Sequence, residues 1–306
     1  HTFVAAAASS ISCGFLTFLE SEFIIFTIMA IQPGDPGRMI LGASATQEAV
    51  DLLNEQLGIN RPFLTRFFDY LYNAIFRLDF GTSYRTSQPV FNDVFARVGT
   101  SLKIAFNGIA MATIIGVPLG ILSAVKQYSF VDNFSRITAM LAATIPPFWL
   151  GMMLILIFSI DLKWFPTSGM VSFNTTLSPF MDRLHHMFLP CLTLSLVRIP
   201  TYLKLARSSV VEVAQEDFIN TARAIGYSER VVYQKFALRN ALLPTVTQAG
   251  MSLSTLFSGA LLTETVFSWP GMGRMVYDAI AGRDYPVIMG GFLISAIMVV
   301  IGGFIT

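Results

Sequence analysis

The chain has 306 residues, of which 54% are hydrophobic and 13% charged, with a mean hydropathy of +0.62 and a formal net charge of +1. Soluble domains carry about 25% charged residues, so this composition argues against a soluble core and for a polytopic membrane protein. A charge this close to neutral provides no field to recruit nucleic acid, and the two cysteines, Cys13 and Cys191, stand in no metal-ligand or redox spacing.

Apolar runs fall at residues 14–32, 100–125, 134–160, 187–206, 241–266 and 287–306, which predicts six membrane-spanning helices. Glu20 and Glu22 lie in the first run, and a charge at mid-membrane is costly, so that span is expected to start near Phe23 or to tilt. His1 in place of methionine, and an end at Thr306 inside an apolar run, read as the edges of a fragment.

Pro33-Gly34-Asp35-Pro36 stops the first span, because proline fixes φ and disfavours helix in the residue before it. The segment that follows, residues 33–98, reads as a small ordered helical module. Thr46 caps a helix that carries Val50, Leu53 and Leu57 at helical spacing and ends at Gly58. A second helix, Pro62 to Phe76, places Phe63, Phe67, Tyr70, Leu71 and Ala74 on one side; the aromatic density reads either as a ligand pocket or, the favoured reading, as rings that pack the module onto the membrane surface.

Within the spans, Gly116 and Pro118, then Pro146 and Pro147, then Pro190 and Pro200, are candidate helix breaks. Two readings stand for them: helices that pack around a pathway, or plain membrane-helix packing. His185 and His186 are a tempting metal pair, but adjacent helical residues point about 100° apart, and no metal site is expected.

Between the fourth and fifth runs lies a long polar segment, residues 208–240. It is read as a helix leaving the span from Ser208 to Glu216 and continuing through Asp217 to Ala224, a left-handed turn at Gly226, and a second helix capped by Ser228 with Glu229 in its first turn. Ala222 and Ala224 are small enough for a partner to approach the backbone, with Glu216, Asp217 and Arg223 as charges that set register. Lys204, Arg207, Arg223, Arg230, Lys235 and Arg239 place this segment in the cytoplasm and residues 33–98 outside.

Glu216-Asp217-Phe218-Ile219-Asn220-Thr221-Ala222-Arg223-Ala224-Ile225-Gly226, followed by Ala237-Leu238-Arg239-Asn240-Ala241-Leu242-Leu243-Pro244, resembles the cytoplasmic "EAA" loop of ABC-importer permeases in the form used by the dipeptide, oligopeptide and nickel "B"-type family. Further landmarks of that family stand in order: Asp79-Phe80-Gly81-Thr82-Ser83, Gly116-Val117-Pro118-Leu119-Gly120, Pro147-Phe148-Trp149-Leu150-Gly151, Ser168-Gly169, His186 with Leu189-Pro190, the run Glu264 to Arg274, and Arg283-Asp284-Tyr285-Pro286-Val287. Residues 1–22 depart from the family's basic-then-apolar start, and Asn220 and Thr221 stand where the general signature has Glu and Ala.

The resemblance implies an all-α type I importer transmembrane domain. It comprises a first span in residues 1–32, an extracytoplasmic module at 33–98 and a permease domain at 99–306. It also implies a multi-pass protein of a bacterial-type cell membrane, surrounded by lipid and paired with a second homologous permease. Two ATP-binding subunits would hold ATP and magnesium, and an extracytoplasmic binding protein would deliver peptides, or nickel or a metal chelate as the alternative. Glu216, Asp217, Thr221, Ala222, Arg223, Ala224 and Gly226 would form the loop that couples ATPase to spans. The chain carries no Walker loop, HExxH or nucleophile elbow, so catalysis and cofactors are expected elsewhere. An ion-coupled carrier is the rival of a different class; its ionisable candidates, Lys103, Arg198, Lys204 and Glu264, are expected to snorkel at span ends.

Overall fold

A computed structural model describes residues 2–32, 34–254 and 256–305. Helix α1 runs Thr2–Ile31, followed by α2 (Pro36–Leu41), α3 (Gln47–Gln56), α4 (Phe63–Phe76) and α5 (Val90–Val125). Then come α6 (Phe130–Thr144), α7 (Pro147–Leu154) with a π-helical continuation to Asp161, and α8 (Pro179–Val213). Helices α9 (Asp217–Ala224), α10 (Glu229–Val231), a π-helical stretch Val232–Ala237 and α11 (Leu238–Ala241) form the polar segment. The chain closes with α12 (Leu243–Ser254), α13 (Leu256–Val266), α14 (Met272–Gly282) and α15 (Tyr285–Ile305). Among the described residues there is no strand, only an isolated bridge between Thr82 and Pro89.

By length and composition, α5, α8 and α15 can each cross a membrane, and α6 with α7 can form a fourth, bent span. Helix α1 begins well before Phe23 and passes Glu20 and Glu22 without interruption, Glu20 being exposed and Glu22 fully buried. Pro33, where the first span is expected to stop, lies outside the described residues; Asp35 caps α2, its side chain accepting from the Arg38 amide.

The prolines behave differently from one another. Helix α5 continues through Pro118, and α8 through both Pro190 and Pro200, so the expected breaks there are corrected to unbroken helix. A membrane helix absorbs an internal proline where neighbouring groups re-satisfy the freed carbonyl. Pro146 and Pro147 do break the chain, bending α7 by 102° from α6, so the apolar run expected as the third span is two helices, a broken span or a re-entrant loop.

Two compact units emerge. One joins the chain up to Thr100 with Gly271–Phe304; the other comprises Ser101–Pro270. In the first, α4 lies on α1 through rings: Phe23 and Phe26 each meet Phe63 and Phe67 at centroid separations of 5.3–5.8 Å. Phe67, Leu71 and Ala74 are buried, as their common helical face predicts. Thr46 caps α3, its hydroxyl accepting from the Ala49 amide at 3.4 Å. Loop 79–87 is tied to the start of α15 by Asp284, whose carboxylate accepts from the Ser83 hydroxyl and from the Tyr84 amide at 3.1 Å. Burial beside Asp284 pushes the Tyr84 phenol up to about 12.

The second unit is organised by close approach of α5 and α8. A Cβ on Gly116 would lie 2.9 Å from Tyr202 Cβ, and one on Gly120 would lie 2.5 Å from the Leu203 carbonyl oxygen. Only glycine lets these backbones meet, the small-residue packing that holds helices together where lipid supplies no hydrophobic drive. Gly116 thus serves packing rather than a break. Tyr202 is fully buried and its hydroxyl donates to Ser252 Oγ at 3.0 Å, bringing α12 onto the same seam.

Candidate functional site: a coupling surface on the polar segment

Helix α8 ends at Val213, and Ala214–Glu216 turn the chain before α9 starts at Asp217. The expected continuous helix from Ser208 through Ala224 is therefore two helices, because Glu216 adopts an extended backbone (φ −69°, ψ 148°) as the N-cap residue of α9. Thr221 Oγ1 donates to the Asp217 carbonyl at 2.9 Å, within the helix.

The end of α9 follows from Gly226. Its φ of +96° is in the left-handed region, the Gly226 amide donates to the Arg223 carbonyl at 3.0 Å, and the Tyr227 amide donates to the Ala222 carbonyl at 3.3 Å. This paired 5→2 and 6→1 pattern is the Schellman termination, in which glycine avoids the Cβ penalty. An added Cβ at Gly226 would meet nothing within 4 Å, so the requirement is conformational rather than steric.

Ile219 and Ala222 turn inward and form a small core with Val232 and Ala237, flanked by Val213, Tyr233 and Phe236. Ala222 is 4% exposed, which corrects its expected place on an open face. The π-helical stretch Val232–Ala237 packs on it. Glu216, Asp217, Phe218, Thr221, Ala224 and Ile225 make up the open face instead. Phe218 and Ile225 present exposed apolar surface in the middle of those polar groups, the composition of a docking patch.

Arg223 holds the arrangement together. Its guanidinium reaches Glu229 at 2.9 Å and 3.4 Å, the Ala214 carbonyl at 3.4 Å and Asn220 Oδ1 at 3.4 Å. The bond to Glu229 raises its pKa further, so the cation that spans the α8–α9 turn and α10 is permanent. Sequence reasoning gave Arg223 a rim role and Glu229 a macrodipole role; the structure pairs them, and Ser228 caps α10 by backbone geometry with no side-chain bond.

Beneath this surface, Ala124 of α5, Val210 of α8 and Ala241 of α11 form a second core. Asp132, fully buried, takes a bidentate pair from Arg207 at 2.7 and 2.8 Å, a hydroxyl from Ser123 and the Tyr128 amide at 2.9 Å. Both charges anchor the connection between α5 and α6 to α8 shortly before it delivers the polar segment. This pair was missed from sequence. The available signal was the capping pattern Ser129-x-x-Asp132, realised as the Ser129 hydroxyl accepting from the Asp132 amide at 3.3 Å.

Several sequence landmarks meet in space. His186 Nδ1 lies 3.1 Å from the Gly169 carbonyl and Nε2 lies 2.9 Å from Ser172 Oγ. A carbonyl only accepts, so in the neutral ring Nδ1 carries the proton and Nε2 accepts from Ser172. Both nitrogens face the 169–172 loop, and the buried Asp182 carboxylate, which accepts the Ser172 amide at 2.8 Å, lies 3.7 Å from Nε2. The Gly169 amide in turn donates to the Phe267 carbonyl at 2.9 Å, and a Cβ on Gly151 would lie 3.1 Å from the Phe267 ring. Glu264, expected to snorkel, is fully buried.

Residues 116–306 match the family model for the binding-protein-dependent transport system inner membrane component, and residues 9–105 match the N-terminal model of such membrane components. The chain belongs to this family. Over 288 residues the chain is 37% identical to the oligopeptide transport system permease protein AppB of Bacillus subtilis, covering 94% of this chain and 90% of that one. It is 36% identical to the dipeptide transport system permease protein DppB of Alkalihalophilus pseudofirmus (91% of this chain, 88% of that one) and 35% identical to the glutathione transport system permease protein GsiC of Escherichia coli (92% and 88%). Among solved structures, the inward-facing MetNI methionine ABC transporter superposes with a TM-score of 0.56 at 18% identity, over 70% of this chain and 92% of that one, a likeness of fold. Members of the family are membrane permease components, and the rival reading as an ion-coupled carrier is set aside by membership.

Proposed function

We propose that this chain is one of two permease subunits lining the pathway of an ATP-driven importer, and that its cargo is peptides delivered by an extracytoplasmic binding protein. The observation that carries the reading is the α9 surface: a short, exposed helix with an apolar centre, held by Arg223 and a Schellman turn on the ends of two long apolar helices. Such an element is of little use to a channel but suits the receipt of force from a soluble partner. Its basic surroundings, Lys204, Arg207, Arg230, Lys235 and Arg239, favour the cytoplasmic side.

In this reading residues 208–240 dock into an ATP-binding subunit, which with a second copy binds the nucleotide and magnesium. Glu216, Asp217, Thr221, Ala224 and Gly226 meet or shape that contact, while Ala222 and Arg223 keep α9 seated. Closure of the ATPases moves α8 and, through Asp132 and Arg207, the base of α5 and α6. Residues 33–98 form the extracytoplasmic module and 99–306 the permease domain. Pro146 and Pro147 bend the third span, whereas Gly116, Pro118 and Pro190 serve helix packing. The peptide class is supported by the oligopeptide, dipeptide and glutathione systems to which the relatives belong.

The test is reconstitution of the four-subunit complex with its binding protein in proteoliposomes. Uptake of a labelled di- or oligopeptide that needs ATP and survives a protonophore is expected. Uptake driven by an ion gradient without ATP, or uptake of nickel and no peptide, contradicts the reading.

A further inference from the structure

The unit formed by the chain up to Thr100 and Gly271–Phe304 contains a cavity of about 720 Å³ that the proposed function does not use. Its walls come from the last turns of α1 (Phe26, Met29), from α4 and the residue that ends it (Arg66, Tyr70, then Arg77) and from the start of α15 (Tyr285, Met289). Two apolar helices, α1 and α15, therefore end and begin at this cavity, which places it at the surface of the bilayer, where headgroups lie.

The lining carries a surplus of hydrogen-bond donors. The Arg66 guanidinium sits 5.8 Å above the Phe26 ring and gives one bond, at 3.3 Å, to the Ile59 carbonyl; the Arg77 guanidinium sits 5.5 Å above the Tyr72 ring. Among the described residues neither forms an ion pair with a carboxylate, whereas Arg61, on the same wall, is neutralised by Asp69 at 3.3 Å. The one further acid of the lining, Asp79, uses its Oδ1 to accept the Gly81 amide at 2.9 Å. Most telling is the hydroxyl of Tyr285, which is buried with no hydrogen-bond partner in a residue only 9% exposed; the Tyr70 hydroxyl also has none, but the field of the fully buried Glu22 carboxyl already acts on it. A buried hydroxyl without an acceptor is costly, and that of Tyr285 lines a space that also holds the half-buried Arg66 and the exposed Arg77, neither paired with a carboxylate.

What answers all of these at once is an anion with several acceptor oxygens, and phosphate is the group that arginine forks match best. Phe26, Met29 and Met289 supply an apolar wall that continues down the two spans, so the anion should carry an acyl tail. We propose that this cavity binds the phosphate headgroup of an anionic membrane phospholipid, with Arg66 and Arg77 taking the phosphate oxygens and the Tyr285 hydroxyl completing the shell. The site would secure the small helical module to the membrane through a lipid as well as through the α1–α4 ring contacts.

Native mass spectrometry of the assembled complex, released from nanodiscs that hold equal phosphatidylglycerol and phosphatidylcholine, tests this. Phosphatidylglycerol should be retained selectively, and the variant pair Arg66→Gln and Arg77→Gln should lower its retention about tenfold, with phosphatidylcholine unchanged. Tyr285→Phe removes one hydroxyl from an otherwise unchanged side chain and should lower retention about threefold, so it decides the matter if the double variant does not assemble. Retention equal to wild type in the double variant, or in Tyr285→Phe alone should the double variant not assemble, overturns the proposal. So does displacement of the lipid by millimolar inorganic phosphate, which would assign the site to the free anion.

Discussion

Arg207 grips Asp132 with two parallel bonds, at 2.7 and 2.8 Å, and so fixes α8 to the connection between α5 and α6 at the level where the polar segment departs. The carboxylate is fully buried while the arginine side chain keeps 21% of its surface. Removal of one partner of such a pair strands the other charge, which is worse than never having had the pair.

Asp132→Asn should therefore lower the stability of the assembled complex by about 2–3 kcal/mol, a value reduced from the fully buried case because Arg207 keeps some water. Arg207→Lys should also destabilise, since an ammonium cannot form the fork. Chemical denaturation of the purified complex is the check; midpoints equal to wild type for both variants would show that the pair is dispensable.

Gly226→Val should leave membrane insertion intact and uncouple transport from ATP hydrolysis. The open space around Gly226 rules out a clash, so the cost is the left-handed backbone itself, about 1–2 kcal/mol. Gly226→Asn should retain most activity, because asparagine tolerates that region. Peptide uptake per ATP hydrolysed is the readout, and equal ratios for the two variants would remove the turn from the mechanism.

Ala222 and Ala224, two residues apart, should respond in opposite ways. Ala222→Leu overfills the core made with Ile219, Val232 and Ala237 and should cost about 1–3 kcal/mol of stability. Ala224→Leu adds bulk on the exposed face, so stability should hold while ATPase stimulation falls. Thermal melts paired with ATPase assays separate the two, and a destabilised Ala224→Leu would mean that α9 packs the other way round.

The corner between α2 and α3 should weaken in acid. Asn54 Nδ2 donates to Asp35 at 2.7 Å while Asn54 Oδ1 accepts the Gly37 amide at 2.9 Å, and the Asn54 bond holds the Asp35 carboxyl below its usual range. A lowered folded-state pKa gives stabilisation that is present above the ordinary aspartate value, about 4, and lost as pH falls through the folded-state value. The protection of the Gly37 and Arg38 amides, taken relative to the intrinsic exchange rate at each pH, should fall over that acidic window, and Asp35→Asn should abolish this pH dependence of protection. Protection that is flat with pH in the wild type would contradict the assignment.

What could be read from the sequence was what local chemistry decides. Thr46 acts through its own hydroxyl, and paired Pro146-Pro147 and Gly226 through their own backbone, and each stands in the structure where its chemistry puts it. Pro118, Pro190 and Pro200 misled because an isolated proline in a membrane helix is judged by its neighbours, which no local pattern reveals. Ala222 was placed outward because the inward partners, Val232 and Ala237, lie on a later element that winds as a π-helix. Asp132 and Arg207, 75 residues apart, left only the Ser129 capping pattern as a trace. The family landmarks were visible one by one, but that Ser83 would meet Asp284, or Gly169 meet both His186 and Phe267, is a property of the fold.

The most direct test of the α9 surface is site-specific crosslinking in the assembled transporter, with a photoreactive residue at Ala224 and, separately, at Ala222. The exposed Ala224 position should capture an ATP-binding subunit in a nucleotide-dependent manner, and the buried Ala222 position should capture this chain alone. Capture of the extracytoplasmic binding protein from Ala224, or of no ATPase in a complex that still hydrolyses ATP on demand, would contradict the account.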